Sequence, residues 1–171
     1  METDSLDIAA ALGDTETEGT EVWNMNLYDQ FTSLEGRINR LRYFLLSILF
    51  LIIGMVYALI VGVVLVGLLI GMGLPEIIVD ITFGLAMIPV VYVEYALTVK
   101  RLQDTGRGGG WITFSQAYAV LLTLYLMAPI GSSLEGVLDI TTAIMTLPLG
   151  IVCLFFGGDT GPNQFGPDPL G

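Results

Sequence analysis

Long apolar runs without charged residues dominate this chain of 171 residues. No charge occurs between Tyr43 and Pro75, between Trp111 and Leu134, or between Ile140 and Gly158. A bilayer core of about 30 Å needs roughly 20 helical residues, so each run can cross it or nearly so. Soluble helices show an amphipathic stripe, whereas apolar residues are continuous here. The pattern therefore predicts an all-α integral membrane protein.

The first apolar run is too long for one span, because its uncharged residues would reach about 50 Å as a helix. We predict that the first span ends near residues 71–73 and that Pro75 opens the second. The second, third and fourth spans are predicted at about residues 76–99, 111–129 and 139–156. The predicted architecture is a four-transmembrane-helix bundle.

Glu94 is an acid inside the second predicted span. The apolar residues around it outweigh its insertion cost of roughly 3 kcal/mol, so the segment still inserts. Arg101 lies seven residues on and returns to the same helix face. The structural interpretation is a carboxylate that pairs with this guanidinium or snorkels to the interface. The alternative is a role in handling protons or ions.

The polar pattern divides the chain into four regions. Residues 1–21 are acidic and predict a disordered tail. Residues 22–36 predict an amphipathic helix, in which Trp23, Leu27, Phe31 and Leu34 form the apolar stripe and Gly36 ends the helix. This helix either lies in the membrane interface or packs on the first span. Residues 37–158 are the transmembrane domain, and residues 159–171 form a Pro/Gly-rich surface tail.

Small residues recur along the first span at Gly54, Ala58, Gly62, Gly67 and Gly71. Small side chains let helix backbones approach closely in a membrane. We interpret the series as packing inside the bundle, with a dedicated homodimer face as the alternative.

The position of charge predicts the orientation. Residues 1–36 hold nine acids and no base, and all six basic residues flank the first span or follow the second. The positive-inside rule therefore places both termini and the central loop in the cytoplasm. No cleavable signal is expected, because acids follow Met1. The acidic balance argues against nucleic-acid binding.

Candidate catalytic chemistry is scarce. The chain has no His, and Cys153 is its lone cysteine, so we expect no internal disulfide and no catalytic, cofactor or metal site. Asp-Thr-Gly occurs at 104–106 and at 159–161, but an aspartic protease needs two carboxylates that share a proton in a β-rich cleft. Local hydrogen bonding is the favoured role.

The two halves of the chain resemble each other. Glu76 and Asp80 recur as Glu135 and Asp139, each acid pair is followed by a proline, and each half closes with Asp-Thr-Gly. We predict two parallel helical hairpins related by a pseudo-twofold axis, with chance similarity between apolar sequences as the alternative.

Three polar blocks stand outside the apolar runs. The first contains Gly36, Arg37, Arg40 and Tyr43. The second contains Lys100, Arg101, Asp104, Thr105, Gly106, Arg107 and Trp111. The third contains Gly161, Pro162, Asn163, Gly166 and Pro167. From about residue 25 onward, these blocks resemble the YhaH-like family of bacterial inner-membrane proteins, known as domain of unknown function 805.

The resemblance implies a four-helix inner-membrane protein and brings no established activity. The chain departs from the family in two ways: Gln103 stands where such proteins often carry His, and the acidic N-terminal tail is long.

We expect the basic residues of the first two blocks to converge with Asp104. The simplest account is topological, with Asp104 paired to an Arg and Gly106–Gly110 forming the turn. The second account is a site for anionic lipid headgroups.

The favoured function is a structural or partner-binding membrane subunit that docks a protein partner or forms a homo-oligomer. The alternative is a small transporter or channel that uses Glu94 and Asp80, and an enzyme is least favoured.

Overall fold

The computed structural model describes residues 27–170 of the chain. Within this range the secondary-structure elements are helices, and no β-strand is formed. A short helix, α1 (Leu27–Thr32), precedes four long ones: α2 (Arg40–Gly71), α3 (Glu76–Asp104), α4 (Gly110–Met127) and α5 (Ser133–Phe155). Each long helix is long and apolar enough to cross a membrane. The prediction of an all-helical protein with four candidate spans is confirmed. The acidic tail at 1–21, the start of the predicted amphipathic helix with Trp23, and Gly171 lie outside the described residues.

Local sequence explains where the helices begin. The Asn39 side chain caps α2 by accepting a hydrogen bond from the Arg42 amide at 2.8 Å. Ser132 caps α5 in the same way, accepting from the Glu135 amide at 3.1 Å. Pro75 stands immediately before α3, where its missing amide costs nothing. The predicted break between the first two spans is therefore confirmed.

Several helix ends differ from the predicted ones. The second span extends to Asp104 rather than to Val99, and the fourth begins at Ser133 rather than at Asp139. α1 ends at Thr32 and not at Gly36, although Gly36 turns the chain with a φ of 94°. Side-chain caps and buried acceptors at these ends, which an apolar pattern cannot reveal, set the boundaries.

α3 occupies the centre of the fold and contacts all the other helices. Its closest approach is to α4, where a Cβ added at Gly84 would lie 2.9 Å from the backbone of Leu126. Its last turns, residues 96–104, are fully buried. With 29 residues, α3 is about 44 Å long, so its end extends beyond a bilayer core of about 30 Å.

Two clusters of buried apolar residues lie at the same end of the molecule. Leu102, Leu149, Val152 and Cys153 form one buried cluster, and Ile38, Leu46 and Leu97 form a second. Phe31 of α1 packs on the second cluster, and its ring lies 6.2 Å from that of Phe50 in α2. The described part of the amphipathic helix thus packs on the protein, including the first span, and its location in the membrane interface stays a prediction.

The far half of α2 is packed differently. Residues 61–66 form a π-helical segment, and none of residues 61–71 is buried. Gly54 packs on α3, with an added Cβ 3.5 Å from Val90, but Cβ atoms at Gly62, Gly67 and Gly71 would meet nothing within 4 Å. The interpretation that the small residues pack inside the bundle is therefore right for Gly54 and wrong for the last three glycines.

Candidate functional site

The three polar blocks meet at the core end of the helices. Arg37 comes from the segment before α2, Arg101 and Asp104 from the last turn of α3, and residues 156–170 follow α5. We call Arg37, Arg101 and Asp104 the arginine–aspartate network, and residues 156–170 the C-terminal segment. The network joins parts of the chain that are far apart in sequence.

Asp104 bridges both arginines of the network. One carboxylate oxygen lies 3.2 Å from Nη2 of Arg37, and the other accepts from Nη1 of Arg101. All three residues are buried: Arg37 is 4% exposed, Arg101 0% and Asp104 2%. Two cations and one anion leave a buried excess of one positive charge, which is costly unless dipoles balance it. The predicted pairing of Asp104 with an Arg is confirmed.

Backbone carbonyls supply that balance. Nη2 of Arg37 donates to the carbonyl of Asp159 at 2.7 Å, and Nη1 donates to that of Gly161 at 2.8 Å. Nε of Arg101 donates to the carbonyl of Cys153 at 2.8 Å, and its Nη2 reaches the carbonyl of Phe156. Arg101 therefore caps the C-terminal end of α5, where unpaired carbonyls and the helix dipole favour a cation.

The two Asp-Thr-Gly segments contact each other directly. The Asp159 amide donates to the carbonyl of Asp104 at 2.7 Å. A Cβ added at Gly158 would lie 2.9 Å from an Asp104 carboxylate oxygen, and one at Gly106 would lie 3.2 Å from an Asp159 oxygen. Asp159 thus packs on the glycine of the other segment, and Asp104 packs on the glycine that precedes the other segment. Because both oxygens of Asp104 bind guanidinium groups, this carboxylate is not poised to share a proton as a protease dyad would.

The C-terminal segment is folded around the network. Asn163 and Gly166 exchange two backbone hydrogen bonds of 3.1 Å, and the Asn163 side chain donates to the carbonyl of Gln103 at 3.0 Å. The Asp168 carboxylate accepts from the amides of Gly161 and Leu170 at 2.7 and 2.9 Å. These two hydrogen bonds lower the pKa of Asp168 below its ordinary value. The predicted surface tail is therefore ordered in residues 159–170 and packs over the network.

The other predicted site residues lie around this network or apart from it. Arg107 stacks on the ring of Phe156 at 4.2 Å, and Thr105 donates to the carbonyl of Leu102. Arg40 is exposed, Trp111 packs on the first apolar cluster, and Pro162 and Pro167 are exposed. Lys100 points elsewhere, donating to the carbonyls of Asp29 and Gln30 at 2.9 and 2.6 Å. Lys100 thus caps α1 and is not part of the network.

The prediction that Lys100 and Arg101 follow the second span in the central loop is wrong, because both lie in the last turns of α3 and are buried. A cavity of about 200 Å³ does adjoin the network, and Arg40, Asp104, Asp159 and Asp168 are among the residues that line it. Asp104 is already paired with Arg37 and Arg101, and two further acids against one base disfavour an anionic headgroup inside the cavity. Headgroup binding at the exposed Arg40 and the half-buried Arg107 stays a prediction.

Sequence reasoning missed two parts of the site. The carbonyls of Cys153 and Phe156 carry no sequence signal, since any residue supplies a carbonyl. Asp168 had no partner motif to mark it, whereas the repeated Asp-Thr-Gly could have pointed to Asp159. Gln103 is buried, and its side-chain oxygen has no hydrogen-bond partner among the described residues.

The two intramembrane acids do not act together in this structure. Both ion pairs among residues 27–170 are formed by Asp104. The predicted pairing of Glu94 with Arg101 is therefore wrong. Glu94 lines a cavity between α2 and α3, while Asp80 lines a different one near Pro129, and the two linings share no residue. A single pathway through both acids is therefore not formed.

These features define a multi-pass helical membrane protein in which three sequence motifs build one polar end. The profile of the family described as "Protein of unknown function (DUF805)" matches residues 31–167, about four fifths of the chain. The chain belongs to this family, and the whole network lies within the matched residues. No curated protein and no solved structure matches the chain.

Proposed function

We propose that this protein is a non-enzymatic membrane subunit that associates with a second copy of itself through its first span. The observation that carries the proposal is the open glycine face at the far end of α2. A Cβ added at Gly62, Gly67 or Gly71 would meet no other part of the described protein within 4 Å, although small residues in membrane helices usually permit close helix contact.

The π-helical segment supports this proposal. In a regular α-helix, residues four apart lie near one face, so Gly54, Ala58 and Gly62 form a stripe. Gly67 follows Gly62 by five residues, and in a regular α-helix this step would place it outside the stripe. The π turn over residues 61–66 hydrogen-bonds residues five apart and brings Gly67 back toward that stripe. Gly67 and Gly71 then continue the stripe as a GxxxG pair beyond Gly54, which packs on α3, so only the part from Gly62 onward is offered to a second copy.

The arginine–aspartate network supports a structural rather than a catalytic role for the polar end. The hydrogen bonds of its guanidinium groups go to Asp104 and to the protein's own carbonyls, and Nε of Arg37 is buried without a partner among the described residues. Groups committed to such contacts hold the ends of α3 and α5 together and are not free to act on a substrate. In this proposal, the polar end aligns the four spans of one copy, and the glycine face of α2 contacts the second copy.

The test is the oligomeric state in liposomes, measured by counting photobleaching steps of a dye attached at Leu170→Cys. Leu170 is 74% exposed, whereas Cys153 is buried and should not label. We expect two-step bleaching for the parent and about tenfold weaker association for Gly67→Leu, because the bulky side chain separates the backbones. Gly136→Leu is the matched control, since Gly136 is exposed on α5 with nothing within 4 Å.

Two outcomes would overturn the proposal. One is single-step bleaching of the parent at every protein-to-lipid ratio. The other is an equal loss of association in Gly67→Leu and Gly136→Leu, which would show that any bulk on the lipid-facing surface has this effect.

The proposed orientation places both chain termini and the 105–109 loop of this four-helix bundle in the cytoplasm, with the protein in a bacterial inner membrane. Its support is that the basic residues gather at one end of the helices, around the start of α2 and the end of α3, as the positive-inside rule requires. A fluorescent reporter fused after Gly171 should fold and fluoresce inside the cell, whereas alkaline phosphatase there should be inactive. Active phosphatase would contradict this orientation.

A further inference from the structure

A cavity of about 290 Å³ lies between α2 and α3 on the membrane side of the arginine–aspartate network. Tyr43, Ser47 and Glu94 line its polar end, and Gly54 and Ala58 are part of its apolar remainder. From Tyr43 to Ala58, α2 rises about 22 Å, so the lining changes from polar to apolar along the membrane normal. A ligand that fits this lining has a polar head and an apolar body.

The charge at the polar end is Glu94. Its residue surface is exposed, and no basic residue among those described pairs with it. On its other side, Glu94 lines a niche of about 10 Å³ with Thr98, Ser115 and Tyr118. The hydroxyl groups of this niche can satisfy only part of the acceptor capacity of a carboxylate, and a lone acid in a membrane calls for a cation.

The other lining residues favour an organic cation over an inorganic one. Tyr43 and Phe50 are among the lining residues, and aromatic rings attract an ammonium group, whereas none of the lining residues is basic. A phospholipid would therefore bring a phosphate for which the lining has no partner. A cavity of about 150 Å³ is known to hold benzene, so this one has room for a ring with an ammonium-bearing chain.

We propose that the Glu94 cavity binds a lipophilic organic ammonium ion that enters from the membrane. The ammonium group pairs with Glu94 beside Tyr43, and the apolar body lies along Gly54 and Ala58. This inference goes beyond the proposed self-association, because the glycine face at residues 62–71 contributes nothing to the lining.

The test is equilibrium dialysis of 4-phenylbutyl-trimethylammonium against the protein in zwitterionic nanodiscs, with empty nanodiscs as the blank. Its neutral isostere, in which carbon replaces the nitrogen, has the same shape without the charge. We expect the parent to bind the cation at least tenfold more tightly than the isostere. Glu94→Gln should bind the two alike, since it keeps the size of the side chain and removes its charge.

Two further variants keep the result interpretable. Asp80→Asn removes the other acid of α3, which lines a separate cavity, and should bind the cation as the parent does. Ala58→Leu fills the apolar part of the cavity while Glu94 stays in place. This variant should weaken binding of the cation by about tenfold. This variant serves as the test if Glu94→Gln does not fold.

Three results would overturn the inference. Equal binding of cation and isostere by the parent would mark a site for a neutral chain. Binding unchanged in Glu94→Gln would mean partition into the lipid alone. Binding absent in the parent and present in Gly67→Leu would show that a second copy fills the cavity. Cation binding by a parent that is monomeric would support this inference while the self-association proposal fails.

Discussion

The two ends of the helices are held by different physical means. At the polar end, Arg37, Arg101 and Asp104 are buried and joined by hydrogen bonds to carbonyls from three segments. At the far end, residues 61–71 of α2 contain no buried side chain, although they contact α3. Lipid is as apolar as leucine, so apolar contacts alone do little to hold spans together in a membrane. The polar end therefore carries most of the specificity of the fold, and the far end of α2 is the surface that the proposed self-association would use.

The largest expected effect comes from removing the shared anion of the network. Asp104→Asn leaves two buried guanidinium groups without a counter-charge, and we expect a loss of about 3–5 kcal/mol in the free energy of unfolding. Reversible unfolding in mixed micelles measures it. Asp139→Asn, at an exposed acid of α5, is the control and should change little. A loss below 1 kcal/mol in Asp104→Asn would mean that the network does not stabilise this end.

A smaller effect is expected where α3 and α4 make their closest approach. Gly84→Ala places a methyl group against the backbone of Leu126, which cannot yield as a side chain can, and should cost about 1–3 kcal/mol. The same unfolding assay applies. Gly136→Ala adds the same methyl in open space and should be neutral or stabilising, because alanine favours a helix over glycine. Equal effects of the two variants would contradict the close packing.

The next effect is confined to the docking of α1. Lys100→Met removes the donor to the carbonyls of Asp29 and Gln30, and we expect a cost of about 1 kcal/mol because these groups can take water instead. Faster amide hydrogen exchange in residues 27–32 measures the loss. Arg40→Met, at an exposed base of the same end, should leave this exchange unchanged. Protection retained in Lys100→Met would show that the apolar contacts of Phe31 suffice.

The smallest effect is a pH dependence of the C-terminal segment. The pKa of Asp168 is lowered by the amides of Gly161 and Leu170, so its carboxylate stabilises this turn above the unfolded pKa of about 3.9. That stabilisation is lost as the pH falls through the lower, folded pKa. Amide exchange of Gly161 should therefore rise at acidic pH, after correction for intrinsic rates, and Asp168→Asn should remove the dependence. A parent with no such dependence would exclude this role.

Sequence patterns predicted the elements of this protein more accurately than their ends. The break before Pro75 and the four apolar helices follow from local composition. The extension of α3 to Asp104 does not, because it depends on carbonyls of α1 and α5 that receive Lys100 and Arg101. The pairing of Glu94 with Arg101 was reasonable by helical spacing, but the nearer Asp104 and the end of α5 compete for the same guanidinium.

The sequence by itself determined that the chain has four candidate membrane spans and that its basic residues gather at one end, since hydropathy and charge order are properties of the chain alone. Only the tertiary structure decided which charges are buried together. Arg37 meets Asp104 across 67 positions, and Asp159 meets Asp104 across two helices, because helix packing sets those distances. The same packing left the glycine face open and placed Glu94 beside a cavity. A buried charge depends on neighbours from distant segments, and no local pattern encodes them.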